Sequence, residues 1–494
     1  MTSFLYFLVC IFQHFSTFIS TVSGSLLRCK KTPMVVLILL LVAHASAWSG
    51  TSRQPIRITP FYQNMSTGSM DETIKQQMKK AIETYKTMLS VDPSTNLRFD
   101  RSCLKTTNKV CHKYQTYYSH GTPTAWWKKV QGCDTCVNNS SQCCTNYPGG
   151  VGVPETDLVI LVTTKNTDIC KGTHKEFENK EGYGAHASVI KRDQYDRPIL
   201  GYINFCVDII AKVKKEYLTD YILSVAKHEL GHALGFTASS IPLMYDGSTG
   251  LPRTERDPTT HLPQKGNLVC SDGETRSVFL ANTTTTLQGP ITVRNIVNTF
   301  RLITPAVQRV ARKYFGCDTM LGLELSPREI RNGSCYQSHW DQCLVWGDVM
   351  SYKQGTFNQA IDKRGKSAVG GLSSAISEFT LAFFEDTGWY DVSYDKAEPI
   401  TWVDKEGQNM AAAPGFHAGC SWMEQERCDG WDLPFPWATF GFIWLGICGV
   451  FCCMTCIQIP IALAKEKKQK EKEMIRQSKN GIDEQGIVMT EKAV

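Results

Sequence analysis

The sequence predicts an α+β body followed by a single C-terminal transmembrane helix, on three observations. Apolar, β-branched runs bounded by Pro and Gly alternate with amphipathic helical stretches from about residue 54 onward. One helical stretch ends on "HELGH", residues 228–232, which sets two histidines one turn apart. Between Asp432 and Lys465 stand 32 consecutive uncharged residues, longer than the roughly 20 apolar residues needed to cross a bilayer.

Taken in order, the chain of 494 residues opens on a leader. Two lysines, an apolar core over 34–43 and Ala45-Ser46-Ala47 have the organisation of a signal peptide cut after Ala47. The earlier apolar stretch 4–22 fits either a lengthened leader or a start at Met34, and both readings stay open. "QPIRITPFY" alternates at Ile56 and Ile58 and predicts a short strand. A helix is expected from Met70, with Ser69 and Glu72 as a capping box and Ile74, Met78, Ile82 and Tyr85 as its buried stripe. Residues 103–144 are rich in cysteine, and "CDTCVNNSSQCC" favours disulfides over a zinc knuckle in an oxidising compartment.

"TDLVILVTT" (156–164) and "RPILGYINFC" (197–206) predict sheet strands. From Leu218 the period turns helical, with Leu218, Ile222 and Val225 on a stripe that runs on into Glu229 and His232. Gly235 is expected to stop that helix in a left-handed conformation. Residues 241–300 are polar, contain Pro and Gly, and have the character of an insertion without assignable elements. Thr304-Pro305 predicts the N-cap and first residue of a helix that ends by Gly316. A last helix is expected over 376–386, stopping at Gly388. The expected partition is therefore a leader (1–47), a subdomain with the HELGH helix (48–240), an insert and central subdomain (241–350), a C-terminal subdomain (351–437), a membrane span (438–464) and a tail (465–494).

Charge and cysteine content narrow the function classes. Of the formal charge of +6, the leader carries +3 and the tail +2, which leaves +1 for the body. A balanced body gives no support for nucleic-acid binding. Fourteen cysteines between Cys103 and Cys428 accompany five N-x-S/T sequons, at Asn64, Asn138, Asn139, Asn282 and Asn332. An even count with sequons predicts disulfides and N-glycosylation in a secretory compartment, with the pairing left open. "KEKKQKEK" directly after the apolar span predicts a cytoplasmic tail and type I topology.

The chemistry lies in "HELGHALGFTASS", residues 228–240. On a helix, His228 and His232 can both point a ring nitrogen at one zinc ion, while Glu229 reaches a water beside it as general base. The longer metzincin pattern, H-E-x-x-H-x-x-G-x-x-H, is met at His228, Glu229, His232 and Gly235, but Ala238 stands where the third histidine is due. Downstream, His261, His339 and His417 are the candidates. His261 lies in the insertion and His417 beside Cys420, whereas His339 opens "HWDQCLVWGDVMSY" with Met350 eleven residues on. That pairing has the order of a third histidine and the methionine of a tight turn beneath the metal.

With these residues, HExxHxxG, a long insertion and then S-H-W with a distant methionine, the chain resembles leishmanolysin, the M8 family of membrane-associated zinc endopeptidases. "RDQYDRPILGYINFC", "ITPAVQRVARKYFGC" and "LAFFEDTGWYDVSYDKAEPITW" extend the likeness over roughly residues 54–428. The resemblance implies a metzincin-like zinc protease domain with a mixed sheet and a zinc-binding active-site helix. It further implies His228, His232 and His339 as zinc ligands, Glu229 as catalytic base, Met350 as the Met-turn residue and protein or peptide substrates. The chain departs from the family in the length of its insertion and in a C-terminal cysteine-rich part reduced to little more than Cys420 and Cys428. With no cysteine between Ala47 and Cys103, little latency from a zinc-capping cysteine is expected. The rival reading is a surface adhesion protein with an inactive or structural metal site. Intact Glu229 argues against it, because a structural zinc needs no base and favours a closed fourth ligand. Hydrolysis of a non-peptide substrate stays open on the motif alone.

Overall fold

The central sheet is built from strands that the sequence makes apolar throughout, and it is covered on both faces. The computed structural model describes residues 53–421 apart from 102, 108–109, 115–121, 136–141, 172–182, 271–272, 295, 327–334, 342–343, 346, 352–374, 401, 404–408 and 411–415. The predicted leader, span (438–464) and tail lie outside the described residues, as do the side chains of 103–114 and 131–145. Among the described residues, no helix is long and apolar enough to cross a membrane.

The elements that position the site are β1 (Ile58–Tyr62), α1 (Ser69–Met88), β2 (Leu158–Thr163), β3 (Ala185–Arg192), β4 (Pro198–Phe205) and α2 (Lys215–Ala233). After α2 come β5 (Leu287–Val293), β6 (Ile296–Leu302), α3 (Pro305–Phe315), β7 (Leu323–Glu324) and α4 (Glu378–Asp386). The main sheet runs β3-β4-β2-β1, with β2 parallel to β1 and β4 and the edge strand β3 antiparallel to β4. It is the mixed sheet expected. Every residue of β2 and β4 is buried. Alternate side chains enter different cores: Leu158, Ile160 and Val162 join Ile82, Leu230 and Ala233, while Val159 and Leu161 join Phe99 and Trp127. Cover on both faces is why these strands read as unbroken apolar runs.

Helix boundaries mostly follow their capping chemistry. α3 starts with Thr304 as N-cap and Pro305 in its first turn, and ends at Gly316. Its free N-terminal amides are taken up from elsewhere, since the Asp386 carboxylate accepts from Ala306 N–H at 3.0 Å and Val307 N–H at 2.9 Å. α4 is capped by Ser377, whose hydroxyl accepts from Phe379 N–H at 3.1 Å. The expected Ser69–Glu72 capping box does not form. Gly68 is the N-cap, Ser69 is already helical, and Glu72 pairs with Lys75 at 2.7 Å instead. The entering chain is tied by Asp71, which accepts from Ser66 N–H at 2.5 Å and Ser66 Oγ at 2.8 Å.

The stretch 241–300 contains two antiparallel hairpins, one of Lys265–Val269 with Thr275–Phe279 and one of β5 with β6, to which β7 adds a third strand. Their half-exposed, polar strands carry too weak an alternation to be read from sequence. Three disulfides join distant parts of the described chain: Cys170–Cys206, Cys270–Cys335 and Cys317–Cys420.

An aromatic group links α2 to the later elements. Phe236 stacks on Phe383 of α4 at 4.1 Å and meets Trp340 edge-on at 5.1 Å. Truncating Phe383, which is fully buried, removes this link. Phe383→Ala is expected to cost about 3–5 kcal/mol in chemical denaturation of the full chain. Val151→Ala, at a site 75% exposed, should stay within about 0.5 kcal/mol. Equal losses would contradict this placement of the core.

Candidate metal centre

The geometry of α2's last two turns follows from its C-terminal cap. Phe236 N–H donates to Gly231 O and Gly235 N–H to His232 O, both at 3.0 Å, with Gly235 at a φ of 120°. These two bonds are a Schellman closure, and it is open to Gly235 because no Cβ is present to strain the turn. A Cβ there would lie 2.8 Å from the Trp389 ring. The closure folds Phe236 back under the helix, where its carbonyl accepts the His232 Nδ1–H at 2.6 Å. One turn earlier, His228 Nδ1–H donates to Val349 O at 2.6 Å.

The structure brings His339 to the same point. Its segment is a short extended stretch between Leu325 and Ser351: Ser326 N–H donates to His339 O, and Trp340 N–H to Met350 O, both at 2.9 Å. Ala238, where a contiguous motif would place its histidine, donates its N–H to Ser338 Oγ at 3.1 Å. The chain carrying His339 thus lies against the position where the contiguous histidine is missing. A buried ionic cluster backs the segment, with Arg294 on Asp341 at 2.5 Å and Arg301 on Glu324 at 2.6 Å.

The Nε2 atoms of His228, His232 and His339 are 3.1 Å apart in each of the three pairs. For His228 and His232 this is no hydrogen bond. Their Nδ1 atoms carry the ring proton, because a carbonyl can only accept, so each Nε2 of the neutral ring is a bare lone pair. Burial first, then the neighbouring rings, push the His228 pKa down to about 3 and that of His232 well below the usual range. Neutral rings with converging lone pairs repel unless a cation lies between them. The edge they define is close to the roughly 3.3 Å expected for a tetrahedral ion with nitrogens at about 2.0–2.1 Å. The donor set fits a metal of the zinc type, and the three histidines are the group among the described residues that could hold one.

Glu229 is 7% exposed on the same helical turn, and burial raises its pKa to about 8. Met350 is fully buried beneath the helix, with Sδ 2.5 Å from where a Cβ on Gly231 would stand. His261 and His417 are exposed and stand in other turns, His261 N–H donating to Asp257 O and His417 N–H to Tyr314 O. The carbonyl acceptors Val349 and Phe236 had no sequence signal, since any residue supplies a carbonyl. Asp348, two residues before Met350, was not singled out by the sequence, where one aspartate near a turn carries no distinguishing signal.

A family model described as leishmanolysin matches residues 122–246 and 276–422, more than half of the chain. The chain belongs to the leishmanolysin family. The first matched block contains His228, Glu229 and His232, and the second His339 and Met350. Among similar proteins, the "Leishmanolysin-like peptidase" of Caenorhabditis elegans is 28% identical over 407 residues, 78% of this chain and 55% of that protein. The Drosophila melanogaster protein of the same name is 26% identical over 406 residues, 78% and 54% of the two chains. The "Ciliated left-right organizer metallopeptidase" of Mus musculus is 28% identical over 278 residues, 56% and 32%. This member of the leishmanolysin family spans about half the length of the leishmanolysin-like peptidases it matches.

The geometry predicts different fates for the candidate histidines. His339→Ala should lose stoichiometric zinc in elemental analysis of the purified full chain, while circular dichroism stays that of a folded protein. His261→Ala and His417→Ala should keep it. Retention by the His339 variant with loss in one of the others would overturn the ligand set.

Proposed function

We propose that the chain is a zinc-dependent endopeptidase that hydrolyses peptide bonds of extracellular or secretory-pathway proteins. The observation that carries this reading is the convergence of three imidazole Nε2 atoms at one point with Glu229 buried on the same helix. A zinc ion held by His228, His232 and His339 would supply a Lewis acid for the scissile carbonyl and lower the pKa of the attacking water.

The chain's own residues do the rest. Val349 O and Phe236 O hold the Nδ1 protons of two ligand rings, so the ring orientations are set before any metal arrives. The Glu229 carboxylate takes the proton of the attacking water and then delivers it to the leaving amine. Burial supports the shuttle by raising the proton affinity of the carboxyl above that of an exposed glutamate. β3, the antiparallel edge of the main sheet, packs against α2. Its outer edge, unpaired among the described residues, is suited to holding an extended peptide as an added strand beside the site.

The reading extends to a membrane-anchored, type I protein with the catalytic body outside the cell or in a secretory lumen. Its support is the leader, the apolar span with its basic flank, and the three disulfides. Of the two sequon asparagines among the described residues, Asn64, exposed at a φ of 53°, is the better placed for a glycan, whereas the Asn282 side chain already accepts from Thr284 and Thr285.

Casein cleavage by the purified full chain tests the reading. Glu229→Gln should lower kcat/KM by about 10²–10⁴-fold with zinc content unchanged, and chelation of the wild type should abolish cleavage until zinc is restored. Intact casein with fully zinc-loaded wild type would leave a binding protein in place of a peptidase.

A further inference from the structure

The turn that supplies the Val349 carbonyl is held by a carboxylate with no part in the chemistry described above. Asp348 is fully buried. Its Oδ1 accepts from Met350 N–H at 2.7 Å and from the Thr380 hydroxyl at 2.7 Å. Its Oδ2 accepts from the Ser377 hydroxyl, the same group that caps α4. Asp348 therefore ties the turn to the first helical residues of α4.

The Met350 N–H and the Val349 C=O are the two ends of one peptide unit. That unit is planar and trans, so its N–H and C=O point in opposite directions. Fixing the N–H on Asp348 aims the carbonyl away from Asp348, and on that side stands His228 Nδ1 at 2.6 Å. Val349 N–H is bound separately, to Ala375 O at 2.8 Å, which limits the swing of the residue but leaves the 349–350 plane free to tilt. Among the described residues, the groups bonded to that plane are the Asp348 carboxylate and the His228 imidazole.

We propose that Asp348 is a positioning residue of the metal centre: through the 349–350 peptide it aims the Val349 carbonyl at His228 Nδ1 and so fixes Nε2 as the ring atom offered to the ion. The inference rests on the zinc reading above and adds a residue to it that touches neither metal nor substrate. An outer group that orients a ligand imidazole is worth about 10–100-fold in metal affinity. A purely structural carboxylate would change stability and leave that affinity alone. Asp386 is the control, since it is likewise buried and likewise accepts backbone N–H, there from Ala306 and Val307 at the start of α3.

The experiment is zinc affinity by chelator competition on the purified full chain, with thermal unfolding followed in parallel. Asp348→Ala should bind zinc about 10–100-fold more weakly than wild type. Asp348→Asn, which keeps an oxygen for the Met350 N–H, should recover most of the loss. Asp386→Ala should lower Tm while keeping wild-type zinc affinity. Should Asp348→Ala not be recovered folded, Thr380→Val, which removes one donor from the carboxylate, decides in its place by weaker zinc binding. Wild-type affinity in Asp348→Ala, or in Thr380→Val when that variant stands in, overturns the proposal, as does an equal loss in Asp386→Ala. Failure of the wild type to hold zinc at all would instead remove the metal reading on which the proposal rests.

Discussion

The site depends on how closely α2 approaches the turn that carries Met350. Gly231 makes that approach: a Cβ on it would stand 2.5 Å from Met350 Sδ and 2.9 Å from the Tyr85 hydroxyl. Methionine fills the space that glycine leaves, and Tyr85 closes the other side by donating to Lys227 O at 3.0 Å. With the helix this near, Val349 O comes within reach of His228, and the Trp340–Met350 bond carries His339 to the same point. A side chain at residue 231 would wedge the two elements apart and lengthen every one of these contacts.

Polar groups are buried around this contact in a way that the apolar core alone would not require. Lys227, beside the first histidine, pairs with Glu398 at 2.6 Å, and Glu398 also accepts from Ile376 N–H at 2.8 Å. Ile376 precedes Ser377, whose hydroxyl holds Asp348. The path from the helix through Glu398 to α4 and back to the turn closes on itself. Lys227 is buried and Glu398 partly exposed, so the pair adds little net stability over an apolar replacement, but removing Glu398 would leave the lysine charge uncompensated. The effect of these groups here is to make one arrangement of helix and turn far better satisfied than its neighbours.

Much of this was legible in the sequence, for local reasons. β2 and β4 are apolar because both faces of the sheet are covered, and α3 is bounded by Thr304-Pro305 and Gly316, signals that act within a turn. The H-E-x-x-H spacing placed His228, Glu229 and His232 together because a helix repeats every 3.6 residues. His339 was different. It lies 107 residues after His232, and no periodicity spans such a gap; only the company of Met350 and the family resemblance singled it out. The α1 cap was misread because Ser69 and Gly68 compete for the same position and glycine leaves no side-chain signature. The hairpins between 265 and 302 were missed because their partly exposed strands mix polar with apolar residues and β5 carries Gly289-Pro290, a turn signal, within it. Disulfide partners were beyond reach, since pairing is a property of the folded distances.

The central claim is that three imidazoles from two distant stretches of chain hold one catalytic zinc and leave one position open. X-ray absorption at the zinc edge of the loaded full chain tests it most directly. The account predicts nitrogen and oxygen neighbours at about 2.0–2.1 Å, with multiple-scattering features of three imidazole rings and one further light atom. A sulfur neighbour at about 2.3 Å, or the scattering of only two rings, would contradict it.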